Sequence, residues 1–163
     1  MRVFISGSIS IKKLPKYALH KIDNIIKKDY HVFVGDAKGV DSIVQKYLQK
    51  KNYQNVIVYY AGNEIRNNYG NWETKQVNNS SKKKGRELYT LKDIEMANDA
   101  DFGLMIWDGK SEGTLNNISM MKLRNKRFFV VIDEMIIDEK RIDSFLNITK
   151  PQKQREDLQM EMF

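Results

Sequence analysis

Three observations predict an α/β fold with an open, mainly parallel sheet and helices on both faces. Short continuous apolar runs alternate with stretches of helical periodicity, and several of the runs end in glycine-bearing loops. The 163 residues, 41% of them hydrophobic, are enough for one domain with a buried core. The alternation sets the sheet type: a helix between two strands makes a crossover, which leaves the strands parallel and covers the sheet.

The elements follow in order. Val3-Phe4-Ile5 reads as a buried strand ending at Gly7-Ser8. Residues 14–28 place Leu14, Tyr17, Ala18, Ile22, Ile25 and Ile26 at helical spacing, with Pro15 suited to the first turn. A second strand, His31 to Gly35, precedes a helix over Ser42 to Lys50 with Ile43, Val44, Tyr47 and Leu48 inward, and a third strand runs from Asn55 to Tyr60. Beyond a gap come a helix at 85–98, a strand at 102–107, a helix at 113–124 and a strand over Phe128 to Ile132. Residues 1–132 thus form the α/β domain. Residues 133–150 are expected as a helical extension, with a short helix at 138–147 using Ile142, Phe145 and Leu146, and 151–163 as a polar tail after Pro151.

The gap, 61–84, is long for a compact domain and reads as a lid or specificity loop. It holds Arg66, Asn67, Asn68, Gly70, Asn71 and Trp72, and five bases with no acid lie between Lys75 and Arg86. The run Ser80 to Lys84 reads either as part of that loop or as a solvated charge run.

Composition removes several function classes. Without cysteine there are no disulfides, thiolate metal sites or cysteine nucleophiles, and two histidines, His20 and His31, leave little for zinc, so neither a metal nor a cofactor is expected. The opening apolar run is too short for a signal or membrane segment, so a cytoplasmic protein without a membrane partner is expected. The net charge of +7 divides into +10 for residues 1–132 and −3 for 133–163. A basic body suits an anionic ligand or nucleic acid, and scattered surface lysine gives the same count.

In an open parallel sheet, ligands bind beyond the carboxyl ends of the strands where the strand order reverses. Three glycine loops are placed for that. The first is Ser6-Gly7-Ser8-Ile9-Ser10, and the second is Gly35-Asp36-Ala37-Lys38-Gly39-Val40-Asp41, in which Asp41 either satisfies helix N–H groups or turns toward a ribose hydroxyl. The third follows the run Leu104 to Trp107, where Lys110, Ser111, Gly113 and Thr114 offer charge, hydroxyls and helix-start amides to a phosphate. Convergence of the three points to a phosphate-bearing ligand. Arg66 and Trp72 are candidates to close over it, Trp72 by stacking on a base, with core packing as the alternative for Trp72.

The series strand-Gly7-Ser8, Gly35-Asp36-Ala37-Lys38-Gly39-Val40-Asp41, Lys92-Asp93-Ile94-Glu95-Met96, Ala100-Asp101 and Gly113-Thr114 resembles the Rossmann-like superfamily of the Lonely-Guy phosphoribohydrolases and the DNA-processing protein A domain, the SLOG-like nucleotide-binding domains. The resemblance spans about residues 1–132 and implies binding of a nucleotide or nucleotide-derived molecule, as a sensor or sequestering protein, with a homodimer as its quaternary form. Several members cleave N-glycosidic bonds, which makes a nucleoside 5′-monophosphate N-glycosidase the alternative. The Lonely-Guy enzymes carry Arg-Lys-x-x-Met where this chain has Lys92 and Asp93 before Met96. They and the similar nucleoside deoxyribosyltransferases carry a glutamate where this chain has Asn117, and an amide is neither base nor nucleophile. A retained glycosidase would need relocated carboxylates: Asp93 and Glu112, with Asp36 third. Asn117 then stays on as a ligand contact.

The last five residues, Gln159-Met160-Glu161-Met162-Phe163, are similar to the pentapeptide by which bacterial replication proteins bind the sliding clamp, with Gln159, Met162 and Phe163 as the contacts. With the basic body, this keeps a DNA-associated protein as a third reading.

Overall fold

The computed structural model describes residues 1–79 and 82–149; the clamp-like pentapeptide and Ser80-Ser81 lie outside them. The chain runs β1 (Arg2–Gly7), α1 (Lys16–Lys27), β2 (His31–Gly35), α2 (Val40–Lys50), β3 (Val56–Ala61), β4 (Glu73–Val77), α3 (Gly85–Asp99), β5 (Phe102–Ile106), α4 (Glu112–Leu123), β6 (Arg127–Ile132), β7 (Met135–Asp138) and α5 (Ile142–Thr149). Seven strands form one sheet in the order β4-β3-β2-β1-β5-β6-β7, parallel throughout except for the antiparallel β6–β7 pair. This is the expected open α/β fold. The strand order reverses between β1 and β5, so the loops leaving those two strands open the crevice at which such sheets bind ligands.

The strands alternate between two cores. Val3, Ile5, Val32, Val34, Val56, Val58, Leu104 and Ile106 face α1 and α2, while Phe4, Phe33, Tyr59, Met105, Phe128 and Val130 face α3, α4 and α5. β-branched residues thus dominate one layer, and rings and methionines the other. Pro15 precedes the first turn of α1, with its carbonyl accepting from Leu19 N–H at 3.1 Å.

Two strands went unread in the sequence. The gap at 61–84 contains β4, whose sequence Glu-Thr-Lys-Gln-Val is mostly exposed at the sheet edge and so lacks an apolar signature. Residues 62–72 are the crossover that a parallel β3–β4 pair requires, and Gln45 of α2 holds it: the side-chain amide donates to Asn67 O at 3.1 Å and accepts from Tyr69 N–H at 3.0 Å. The segment is therefore a strapped connection rather than a lid. The second strand, β7, is only four residues long, and it joins 133–149 to the same sheet, so the expected helical extension supplies a strand as well as a helix. Among the described residues, no helix is long and apolar enough to cross a membrane.

Candidate functional site at the carboxyl edge

Gly7 and Ser8 end β1 and meet the start of α4 across the crevice. Ser8 Oγ lies 2.8 Å from Ser111 Oγ and 3.3 Å from Thr114 Oγ1, accepts from Asp108 N–H at 3.0 Å, and the Ser111 and Thr114 hydroxyls are 2.9 Å apart. Ser8 lies more than a hundred residues from Ser111 and Thr114 in sequence, and the three hydroxyls converge because β1 and β5 are paired neighbours. Helix α4 starts without a side-chain cap, and the space beside Gly113 is open. Its first-turn N–H groups have no acceptor within the helix, and the positive end of the helix dipole lies with them.

Asp108, which the sequence reading passed over, already takes part of this loop. Its carboxylate accepts from Lys110 N–H at 2.8 Å, Ser111 N–H at 2.7 Å and the Ser10 hydroxyl at 2.6 Å. Partial burial opposes its charge, but these donors outweigh it and hold its pKa down at about 2. The donors left for a ligand are thus the amides of α4 itself. Lys110 and Lys38 are exposed at the rim.

Beneath the hydroxyls, Asn117 is only 4% exposed and donates through Nδ2 to Ser6 Oγ at 2.8 Å, while Asn117 Oδ1 is buried without a partner. Exchanging the amide atoms would merely leave the nitrogen unpaired instead, because Ser6 offers a single oxygen. An unmatched buried polar atom costs about 1–3 kcal/mol, and natural proteins keep few of them without a purpose.

Over the end of β2 the site turns ionic. Asp36 is fully buried and accepts from Arg66 through the backbone N–H at 2.9 Å and the guanidinium at 2.6 Å. Lys92, on the inner face of α3, lies 2.9 Å from Asp93 and 3.5 Å from Asp41. Gly35 leaves room for that ion pair, since a Cβ there would fall 2.4 Å from the Asp41 carboxylate and 2.5 Å from Lys92 Nζ. The next turn depends on Gly39, which has φ of 78° and whose Cβ would lie 2.4 Å from the Ile9 backbone, so the first two loops are in direct contact. Val40 N–H donates to Ser8 O across the same junction at 3.3 Å.

Three carboxylates here face two cations. Burial pushes Asp41 above the ordinary carboxylate range, against the pull of Lys92, with Asp93 and Asp36 adding to the rise. Burial disfavours the Lys92 ammonium as well, but Asp93 and Asp41 outweigh it and hold Lys92 above its usual value. Asp41 also accepts from Ala37 N–H at 3.1 Å, an amide of the loop ahead of α2 rather than of the helix itself, so it braces the second loop.

The fold therefore gathers Gly7, Ser8, Gly35, Asp36, Lys38, Gly39, Asp41, Arg66, Lys110, Ser111, Gly113, Thr114 and Asn117 at one edge. It does not bring Trp72 there. Trp72 precedes β4, is 7% exposed in the aliphatic core, and donates its indole N–H to Tyr53 O at 2.8 Å, at the opposite end of the sheet. The three candidate catalytic carboxylates are held apart in character: Asp93 is tied to Lys92, Asp36 to Arg66, and Glu112 is exposed and paired with Arg86 at 3.2 Å. Sequence reading missed Lys92 as a site residue. Its spacing of four from the buried Met96 was the available signal, because i and i+4 share a helix face. Among the described residues, no group of three or more histidines and carboxylates is gathered to hold a metal ion. No family model, characterised protein or solved structure matches the chain.

Proposed function

We propose that the protein binds a nucleotide or nucleotide-derived small molecule at the carboxyl edge of its sheet. The phosphate lies against the first turn of α4, and the sugar is directed toward the end of β2. The observation that carries this reading is the convergence of Ser8, Ser111 and Thr114 on an uncapped helix start at the point where the strand order reverses. The partnerless Asn117 Oδ1 beneath them adds a buried acceptor of the kind a bound hydroxyl or water satisfies.

The charge distribution orients the ligand. Lys92 and Arg66 on the β2 side are each matched by carboxylates, Asp41 and Asp93 for the first and Asp36 for the second, so neither cation competes with α4 for the phosphate. Binding is favoured over N-glycoside hydrolysis because Asp93, Asp36 and Glu112 are each committed to a cation, leaving no free acid–base pair among these three.

The test is thermal unfolding against a panel of nucleoside 5′-monophosphates, with a parallel assay for released base. A ligand at 100 times its Kd should add about 2.7 kcal/mol to stability, and the gain should depend on the phosphate. No shift with any phosphate-bearing ligand contradicts the proposal, and stoichiometric release of free base replaces a binder with a hydrolase. A binding constant falling steeply with salt over several phosphate contacts would instead indicate nucleic acid.

A further inference from the structure

The sequence offered Trp72 for base stacking, and the structure places that ring in the core, yet another flat surface stands at the carboxyl edge. The Arg66 guanidinium lies over the Tyr89 ring, 3.9 Å from its centroid. We propose that this Arg66–Tyr89 stack recognises the base, so that the ligand is a nucleotide with an intact purine or pyrimidine rather than a sugar phosphate or free phosphate. The inference rests on the nucleotide reading above and specifies it.

Rigidity is the first support. Arg66 is fixed by two hydrogen bonds to the fully buried Asp36, and its side chain remains 34% exposed, while Tyr89 is 37% exposed. A guanidinium locked by a buried carboxylate and stacked on a ring presents a preorganised plane, and little conformational freedom is left to lose when a base settles on it. Exposed aromatic surface held this way is what sequence-tolerant base stacking uses.

Position is the second. Arg86, one turn before Tyr89 on α3, pairs with Glu112 in the first turn of α4, which sets the Tyr89 turn beside the helix start assigned to the phosphate. On the other side, Asp36 anchors Arg66 at the end of β2, the strand next to β1. β2 and β5, the strand that leads into α4, stand two strand spacings apart, about 10 Å, which is within the reach of a nucleoside monophosphate. Charge is the third support: Lys92 and Arg66 are already matched by Asp41, Asp93 and Asp36, which leaves the phosphate to α4 and the β2 side to sugar and base.

Tyr89 is exposed and can be changed without breaking the Asp36 ion pair, which an Arg66 substitution would do. Calorimetric titrations of the wild type, Tyr89→Phe and Tyr89→Ala would use adenosine, guanosine, cytidine and uridine 5′-monophosphates, with ribose 5-phosphate as the base-free probe. Tyr89→Ala should weaken the tightest monophosphate by about 5- to 150-fold, while Tyr89→Phe keeps wild-type affinity. Ribose 5-phosphate should bind all three proteins equally, or be too weak to register in any of them. An unchanged monophosphate affinity in Tyr89→Ala, or an equal loss for ribose 5-phosphate, overturns the base assignment while leaving the nucleotide reading in place. A wild type that binds none of these probes overturns both.

Discussion

At the amino end of the sheet, the Trp72 indole donates to Tyr53 O, the Tyr53 hydroxyl donates to Tyr30 O, and Arg2 holds Asp101 at 2.9 Å. At the carboxyl end, α4 begins uncapped, Asn117 Oδ1 has no partner, and three carboxylates face two cations beneath a hydroxyl cluster. The same backbone topology produces both ends. One end closes its polar groups on backbone carbonyls and exposed ion pairs, and the other keeps donors and acceptors unspent next to open space. The contrast separates residues that hold the sheet from residues that, on the function proposed above, would meet the ligand.

Substitutions at the two ends should therefore fail differently. Trp72→Ala should lose about 3–5 kcal/mol, read from urea unfolding, while its nucleotide affinity below the melting transition stays at the wild-type value. A loss of affinity in the folded variant would break the comparison. Lys92→Met should cost a comparable 3–5 kcal/mol or so, because it leaves the buried Asp41 and the partly buried Asp93 without their ammonium. That deficit carries a pH signature. Asp41 is already raised by burial, and removing Lys92 raises it further, so its contribution is retained below its unfolded value and lost as pH rises through the folded one. The gap between the variant and wild type should be smallest near about pH 4 and widen toward neutrality, and Asp41→Asn added to Lys92→Met should restore part of the loss. A deficit independent of pH would mean that Asp41 is not the orphaned group. Smallest in stability is Thr114→Val, at about 0.5–1.5 kcal/mol or less, but it should weaken nucleotide binding, since it removes a hydroxyl from the convergent set.

The legible part of the fold was the part with a buried face. Val3, Val32 and Val56 announced central parallel strands because both sides of those strands are covered and the runs are continuously apolar. β4 was illegible because an edge strand carrying Lys75 and Gln76 is polar by necessity, and Lys75 is used to reach Asp99 at 2.7 Å and Glu95 at 3.2 Å on α3. The candidate site was legible through its glycine loops, which mark strand ends regardless of what lies between them. Trp72 misled because adjacency in sequence to Arg66 says nothing about which end of the sheet a crossover reaches. Arg66 stays at the carboxyl end, and six residues later the chain has crossed to the other. Tyr89 was hidden for the converse reason: its partner Arg66 comes from a different element, and no local spacing reports a stack across 23 positions.

The most direct measurement is the set of backbone amide chemical shifts of the labelled protein during titration with the nucleoside 5′-monophosphate that stabilises it most. The account predicts the largest changes at Ser8, Gly113 and Thr114, with Tyr89 also moving, and none at Trp72 or Tyr53. Changes centred on the amino end, for instance in the 290 Å³ cavity lined by Val3, Ile25, Leu104 and Phe129, would contradict it.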